Sequence, residues 1–340
     1  MKTVLVVGGA GYIGSHAVAA LIDAHHKVIV LDNLSSGHRD LVLGGELIVG
    51  SCGDPQLLDR IFESNEVDAV MHFAASSIVE ESLAQPLEYY RNNVTNTLEL
   101  LDAMRRHCVS NLIFSSSAAV YGEPSELPIA ETHPLLATNP YGATKRVIEE
   151  MVSACALSHG LRFAVLRYFN AAGADPHGRI GERHEPETHL IPLVLQVAAG
   201  TRANVKIFGA DYATQDGTCV RDYVHVVDLA NAHLLALDRL FRGEVLNAIF
   251  NLGNSRGYSV RQVIDVAQKI SGHPIPIVEA PRRTGDPAIL IADSKKAKTE
   301  LGWRPQFEAL DDIIDSAWSW RQREAARATV AAPHPQDLVP

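Results

Sequence analysis

The stretch Thr3-Val4-Leu5-Val6-Val7-Gly8-Gly9-Ala10-Gly11-Tyr12-Ile13-Gly14 decides the fold of this chain. Thr3 to Val7 is short, rich in β-branched residues and unbroken by polar side chains, the pattern of a strand buried on both faces. Glycines follow at once, and a helix then carries to about Ala24. Lys27 to Leu31 reads as a second buried strand, ending at Asp32. Gly9-x-Gly11-x-x-Gly14 therefore meets the dinucleotide fingerprint in the context it needs, strand before and helix after. Glycine permits the tight turn and the close approach of backbone to a pyrophosphate, and the helix N-terminus attracts that negative charge. Asp32 stands where a carboxylate meets ribose hydroxyls and would repel a 2′-phosphate, so NAD is favoured over NADP.

Outward from this stretch, strand and helix signals keep alternating. Residues 46–49, 69–73 and 111–115 read as strands, and 57–63 and 86–107 as helices. The repeat calls for an α/β fold, a Rossmann-type doubly wound parallel sheet with its ligand at the carboxyl ends of the strands. Signals loosen after Asn170, with a Gly/Pro/His-rich loop at 171–187, a helix at 190–199 and short strands. A helix at 226–240 returns to the cofactor domain, Ser259-x-x-Gln262 is a capping box opening a helix to Ser271, and 311–324 is the last helix. We thus expect an NAD-binding domain of 1–170 plus about 220–245. A smaller C-terminal α/β substrate domain of about 171–219 plus 246–324 and a disordered tail, 325–340, complete the chain.

Composition excludes several classes. A chain of 340 residues with 46% hydrophobic and 21% charged residues has ample core for one large domain or two. A net charge of -10 argues against a general nucleic-acid binder. Cys52, Cys108, Cys155 and Cys219 form no Cys-x-x-Cys pair, so neither a disulfide scaffold nor a metal site is read, and a reducing cytoplasm fits. The apolar start is too brief for a signal peptide, and no uncharged apolar run reaches the roughly 18 residues of a membrane span.

Chemistry enters at Asn139-Pro140-Tyr141-Gly142-Ala143-Thr144-Lys145. Pro140 can open a helix, and apolar residues at helical spacing carry it through Leu157. Tyr141 and Lys145 then share one face. A free phenol, with a pKa near ~10, is a poor base at neutral pH, and an ammonium beside it lowers that value. The pair can move a proton for an alcohol substrate. At the end of the strand starting at Asn111 comes Ser115-Ser116-Ser117-Ala118-Ala119-Val120-Tyr121-Gly122, where a serine can bond the reacting hydroxyl alongside Tyr141. Each signal has a plainer reading: Tyr-x-x-x-Lys pairs arise by chance, serines often end strands, and Asn92 and His72 can merely satisfy local backbone. Their combination carries the weight.

Together these residues resemble the extended short-chain dehydrogenase/reductase superfamily, and further stretches resemble its UDP-galactose (UDP-glucose) 4-epimerases. They are His72-Phe73-Ala74-Ala75, Pro86-Leu87-Glu88-Tyr89-Tyr90, Asn92-Asn93-Val94 and Leu166-Arg167-Tyr168-Phe169-Asn170. Later come Ile207-Phe208-Gly209, the run from Asp216 through Arg221-Asp222-Tyr223 to Val226, and Ala280-Pro281-Arg282-Arg283-Thr284-Gly285-Asp286. The resemblance implies reversible 4-epimerisation of a UDP-sugar through a transient 4-keto sugar, with tightly held NAD. Tyr141 would be the base, Lys145 its electrostatic partner and Ser117 the second bond to the 4-hydroxyl. Around the cofactor it places Gly8, Gly11, Tyr12, Ile13, Gly14, Asp32, Asn33, Ser51, Phe73, Ala74 and Ala75. Asn92, Ser115, Tyr141, Lys145, Tyr168 and Phe169 complete that set. Around the substrate it places Ser117, Tyr141, Asn170, His189, Leu190, Phe208, Arg221, Arg283, Asp286 and Leu290. For Arg282 a solvated surface charge is the better reading. It also implies a homodimer paired through two helices of the cofactor domain, with 86–107 and 141–157 as the candidates.

The chain departs from the family pattern in places. Gly50-Ser51-Cys52 replaces Gly-Asp at the adenine, leaving a hydroxyl where a carboxylate is expected. Ser77 stands where some members have lysine, and Glu187-Thr188-His189-Leu190 replaces Asn-Asn-Leu, which gives His189 a diphosphate contact. Leu290 stands where bulk limits the sugar's 2-substituent and leans towards unsubstituted sugars. A dehydratase or decarboxylase would need an acid where Ala118 and Ala119 stand. A 4-epimerase of UDP-N-acetylhexosamine, uronate or pentose is the near alternative, and a silent NAD-binding regulator the distant one.

Overall fold

The computed structural model describes residues 1–244, 247–283 and 285–331. Its strands are β1 (Thr3–Val7), β2 (Lys27–Asp32), β3 (Glu46–Val49), β4 (Ala69–His72), β5 (Asn111–Ser117), β6 (Arg162–Tyr168) and β7 (Asn170–Ala172). Then come β8 (Val205–Phe208), β9 (Val220–His225), β10 (Ala248–Leu252), β11 (Gly257–Ser259), β12 (Ile277–Ala280) and β13 (Ile289–Leu290). The helices are α1 (Tyr12–Asp23), α2 (Pro55–Ser64), α3 (Val79–Ala84), α4 (Pro86–Tyr89) and α5 (Asn96–Arg106). They continue with α6 (Pro140–His159), α7 (Leu190–Ala198), α8 (Val226–Phe241), α9 (Val260–Ser271) and α10 (Leu310–Ala331).

Seven strands form one parallel sheet in the order β10-β6-β5-β4-β1-β2-β3. Strand order reverses at β1, between β4 and β2, which opens a crevice at the carboxyl ends there. Each face of this sheet carries its own core. Val4, Val6, Val28, Val30 and Met71 pack with α1 and α8, and Leu5, Val7, Ile29, Leu31 and Val70 with α2, α5 and α6. Burial on both faces is why these strands read as continuous apolar runs rather than alternating ones. A third core joins α7, α9 and α10 around Val194, Leu195, Ile264 and Ile313. Beside it sit a small sheet, β11-β9-β13 with β7 on β9, and the pair β8–β12. Among the described residues no helix is long and apolar enough to cross a membrane.

Three expectations are corrected. Residues 248–252, assigned to the substrate domain from the sequence, form β10 and pair with β6 in the cofactor sheet. Phe250 and Leu252 are fully buried there, and Ala297, Leu301 and Trp303 join the same core face. The helix expected over 86–107 is interrupted: α4 and α5 are separated by a wider π-type turn at Tyr90–Thr95. The last helix runs to Ala331, so 325–331 are helical rather than tail, and 332–340 lie outside the described residues.

Candidate active site

The nucleotide edge is shaped by three glycines with different jobs. Gly8 has φ of +81°, and a Cβ there would lie 2.5 Å from the Ala74 nitrogen, so the turns after β1 and β4 touch backbone to backbone. A Cβ on Gly14 would lie 2.1 Å from the Gly8 oxygen, and its absence lets α1 seat against the turn. Gly11 differs: a Cβ there would meet only the Gly8 oxygen, at an ordinary 3.5 Å. It leaves an open cradle at the N-terminus of α1, where no side-chain cap and no acidic residue compete for the free amides. That cradle fits a dinucleotide pyrophosphate. Buried Asp32 accepts the Ala10 and Leu34 amides, each at 2.9 Å, which fixes its carboxylate and leaves lone pairs for hydroxyl donors.

The flanking residues are tied in as well. The Tyr12 hydroxyl donates to the Gly173 oxygen at 2.6 Å, and Ile13 packs against the core. Asn33 accepts from the Ser35 amide and hydroxyl. Ser51 Oγ already accepts the Gly53 amide at 3.1 Å. The Phe73 and Ala74 amides both donate to the Val7 oxygen, which sets Ala75 at the crevice. In the π-type turn, Asn92 donates to Ser76 Oγ at 3.0 Å. Its neighbour Asn93, fully buried, bridges the Ser76 backbone and Thr144 Oγ1. A π-type turn at a site is a recurrent device for aiming side chains inward.

The reactive groups meet where β5, β6 and α6 converge. Asn139 Oδ1 caps α6 by accepting the Gly142 amide at 2.9 Å, and Gly160, at φ of +69°, ends it. A Cβ on Gly142 would lie 2.3 Å from the Ala119 oxygen, so glycine lets the helix start press on the Ala118–Val120 turn. Tyr141 is thereby brought beside Ser117, close enough for the serine to act on the phenol, and the strand partner of Ser117 is Tyr168. Lys145 is buried, donates to the Ser115 oxygen at 2.8 Å and lies 5.9 Å from the centroid of the Tyr141 ring. Burial raises the Tyr141 phenol above its ordinary value, and the Ser117 bond opposes that rise. Burial also pushes Lys145 down to about 7, with Glu149 pulling the other way. An ammonium beside the phenol is expected to favour the phenolate; here burial is the largest influence on both groups, and Lys145 is not among the causes acting on Tyr141.

The substrate-side residues fall into two groups. Asn170, Arg221 and Leu290 share the small sheet, in the registers Asn170–Tyr223 and Leu290–Arg221. Arg221 pairs with Asp286, and Leu290 packs near Phe169 and Ala118. Arg283 stacks 4.0 Å over the Phe208 ring and pairs with Glu80 of α3 at 3.1 Å. Asp222, fully buried between them in sequence, is structural. It accepts the Asn254, Ser255 and Ala292 amides, and burial lifts its carboxyl to about 7. His189 departs from the expected diphosphate role: its Nδ1 contacts Glu187 and Glu182, while Leu190 opens α7. Arg282 pairs with exposed Asp211, as a surface charge would.

Several site-supporting residues escape the sequence reading. Glu149, one turn beyond Lys145, holds Arg167 at 2.6 Å in a fully buried pair and accepts from Ser116. Arg167 continues to the Tyr121 hydroxyl, which donates to Asn251 on β10. The chain of bonds fixes α6 against β5, β6 and β10. Burial lowers His233 to about 4, so the ring is neutral. Its Nδ1 then donates to the Leu229 oxygen, and its Nε2 accepts from the Tyr168 hydroxyl at 2.6 Å. Sequence separations from 18 to 130 between the side-chain partners are the reason no local pattern betrays them.

Known proteins resemble this chain in sequence and fold. The NAD dependent epimerase/dehydratase family matches residues 4–253. The UDP-glucose 4-epimerase of Halalkalibacterium halodurans is 54% identical over 319 residues, covering 94% of this chain and 95% of its own. The crystal structure of the Brucella ovis UDP-glucose 4-epimerase in complex with NAD superposes with a TM-score of 0.91 at 46% identity, covering 94% and 98% of the two chains. That of the Bifidobacterium longum enzyme with NAD+ and UDP gives 0.90 at 40% identity, covering 95% and 99%. By sequence, fold and cofactor cradle, the chain belongs to the NAD-dependent epimerase/dehydratase family.

Proposed function

We propose that this protein interconverts UDP-galactose and UDP-glucose by reversible oxidation at the sugar C4, acting as a cytoplasmic homodimer. The observation that carries this reading is the placement of Tyr141 beside Ser117 at the carboxyl end of β5, with Lys145 bonded to the Ser115 oxygen behind them and alanines in the adjoining turn. Gly11, Asp32, Asn92 and Lys145 would hold the cofactor, with Phe73, Tyr168 and Phe169 lining its path. Bound NAD supplies a hydride acceptor that returns the hydride, and in its oxidised form a positive charge near the phenol.

The chain's own residues do the rest. Tyr141 takes the proton of the 4-hydroxyl while Ser117 holds that hydroxyl, and Tyr141 gives the proton back once the 4-keto sugar has turned over. Arg221 and Arg283 tether the diphosphate, so the sugar turns without leaving, and Asp286 takes the uridine ribose. Ala118 and Ala119 offer no second proton carrier, which disfavours elimination. Exposed Leu87, Leu98 and Leu157 on α4, α5 and α6 support pairing of two copies through these helices. Leu290, beside Phe169 and Ala118, favours sugars without a bulky 2-substituent. The purified protein with NAD should form UDP-glucose from UDP-galactose and should use UDP-N-acetylgalactosamine less well. No UDP-glucose would exclude the reading, and equal use of both would remove the role given to Leu290.

A further inference from the structure

The segment between β7 and α7 carries a cluster used by neither the cofactor edge nor the catalytic trio. One ligand atom from each of Glu182, His184, Glu187 and His189 lies within 4.8 Å of the others. His189 Nδ1 is 3.0 Å from Glu182 Oε1 and 2.9 Å from Glu187 Oε1. His184 Nδ1 is 3.3 Å from Glu182 Oε1 and 3.6 Å from Glu187 Oε2. Both carboxylate side chains are only 7% exposed. Glu182 Oε1 and His184 Nδ1 are enclosed by protein, and no well-aligned hydrogen bond reaches either, although they lie within ion-pair distance of each other. Close charge contacts rather than a complete hydrogen-bond set therefore hold the four groups together, an arrangement that a bound cation would complete.

The distances say which ligand. Donor atoms at about 2.0–2.1 Å from a tetrahedral ion lie roughly 3.3 Å from one another; the four histidine–carboxylate separations run from 2.9 to 3.6 Å, and one ligand atom from each of the four residues lies within 4.8 Å of the others. Two imidazoles with two carboxylates and no thiolate suit a zinc-class ion rather than a soft or an all-oxygen one. We propose that Glu182, His184, Glu187 and His189 bind one divalent transition-metal ion, with zinc the best fit, at a closed structural site. Around it, the Trp320 indole of α10 donates to the Glu182 oxygen at 3.3 Å, and the Tyr12 ring of α1 meets His184 edge-on. His189 precedes the first residue of α7. An ion there ties the loop to all three helices, at the point where α1 begins beneath the nucleotide cradle.

The test uses untagged full-length protein, stripped with chelator, dialysed against zinc sulfate and then against metal-free buffer. The proposal expects about one zinc per chain and a higher Tm than the stripped form. The double variant Glu182→Gln/His184→Asn should hold none and show no zinc-dependent Tm. Cobalt in place of zinc should give the strong visible absorption of tetrahedral Co2+ in the wild-type protein. The single variant His184→Gln, which also serves if the double variant does not fold, should lose that absorption. Folded wild-type protein that retains no zinc and shows no Tm shift would mean the four groups only pair as ions. Equal zinc in wild type and folded variants would place the ion elsewhere; either result overturns the proposal.

Discussion

The two sides of the proposed site, one for the cofactor and one for the sugar, hold their polar groups in opposite ways. On the proposed cofactor side those groups are fixed by the backbone. Asp32 is held by two backbone amides, and the turns around Gly8 and Gly14 are locked by backbone contact. On the sugar side the charged groups hold each other: Arg221 pairs with Asp286, and Arg283 with Glu80. The Arg283–Glu80 pair is 42% and 70% exposed, and such pairs contribute only about 0–1 kcal/mol. A diphosphate, binding bidentately, can displace them. Under the proposed function, the difference would suit a preformed cofactor site and a sugar site whose charged groups exchange partners.

Tyr141 stands where the two halves meet, and removing its hydroxyl should have the largest effect. Tyr141→Phe should lower kcat by about 10²–10⁴-fold while NAD stays bound, checked by turnover together with cofactor content. Near-normal turnover would exclude Tyr141 as the base.

The preformed half can be broken in two distinguishable ways. Gly14→Ala drives a Cβ to 2.1 Å from the Gly8 oxygen and should cost about 1–3 kcal/mol of stability in denaturant unfolding. Gly11→Ala meets only an ordinary 3.5 Å contact, so stability should hold while NAD affinity falls by roughly tenfold or more. Equal stability loss in both variants would mean the cradle over Gly11 is not open.

Lys145 tests the desolvation argument. Its pKa near 7 in the cofactor-free fold lies below the ordinary 10.5. Between those values the unfolded chain binds the extra proton, so this group makes stability rise with pH, by at most about 1.4 kcal/mol per unit. Below about 7 the cost of the buried charge is present in full. The stability of wild type relative to Lys145→Met should therefore climb from pH 7 towards 10, and parallel pH curves would contradict it. The smallest effect belongs to the sugar side. Glu80→Gln releases Arg283 and should tighten UDP binding by about 1.5–5-fold, measured by calorimetry. Unchanged or weaker binding would show that the pair does not compete with the ligand.

The same contrast explains what the sequence revealed. β1, α1 and β2 are adjacent in the chain, so periodicity, glycines and Asp32 read out together. Ser117 and Tyr141 were legible because each ends or starts a regular element. Arg167, Glu149, Tyr121 and Asn251 were not, because their bonds join four different segments. The assignment of β10 failed for a related reason: an apolar strand does not announce which sheet it will join. Glu182-x-His184-x-x-Glu187-x-His189 contains no cysteine and lies in a loop without periodicity, so nothing in its spacing marks it as a ligand set.

In the proposed reaction, hydrogen leaves the sugar C4 as hydride and returns to it without passing through water. Turnover of UDP-galactose deuterated at C4 by the NAD-loaded protein, with the product UDP-glucose read by mass spectrometry, tests this directly. The deuterium should be retained at C4. Product carrying solvent hydrogen at that carbon would rule the reaction out.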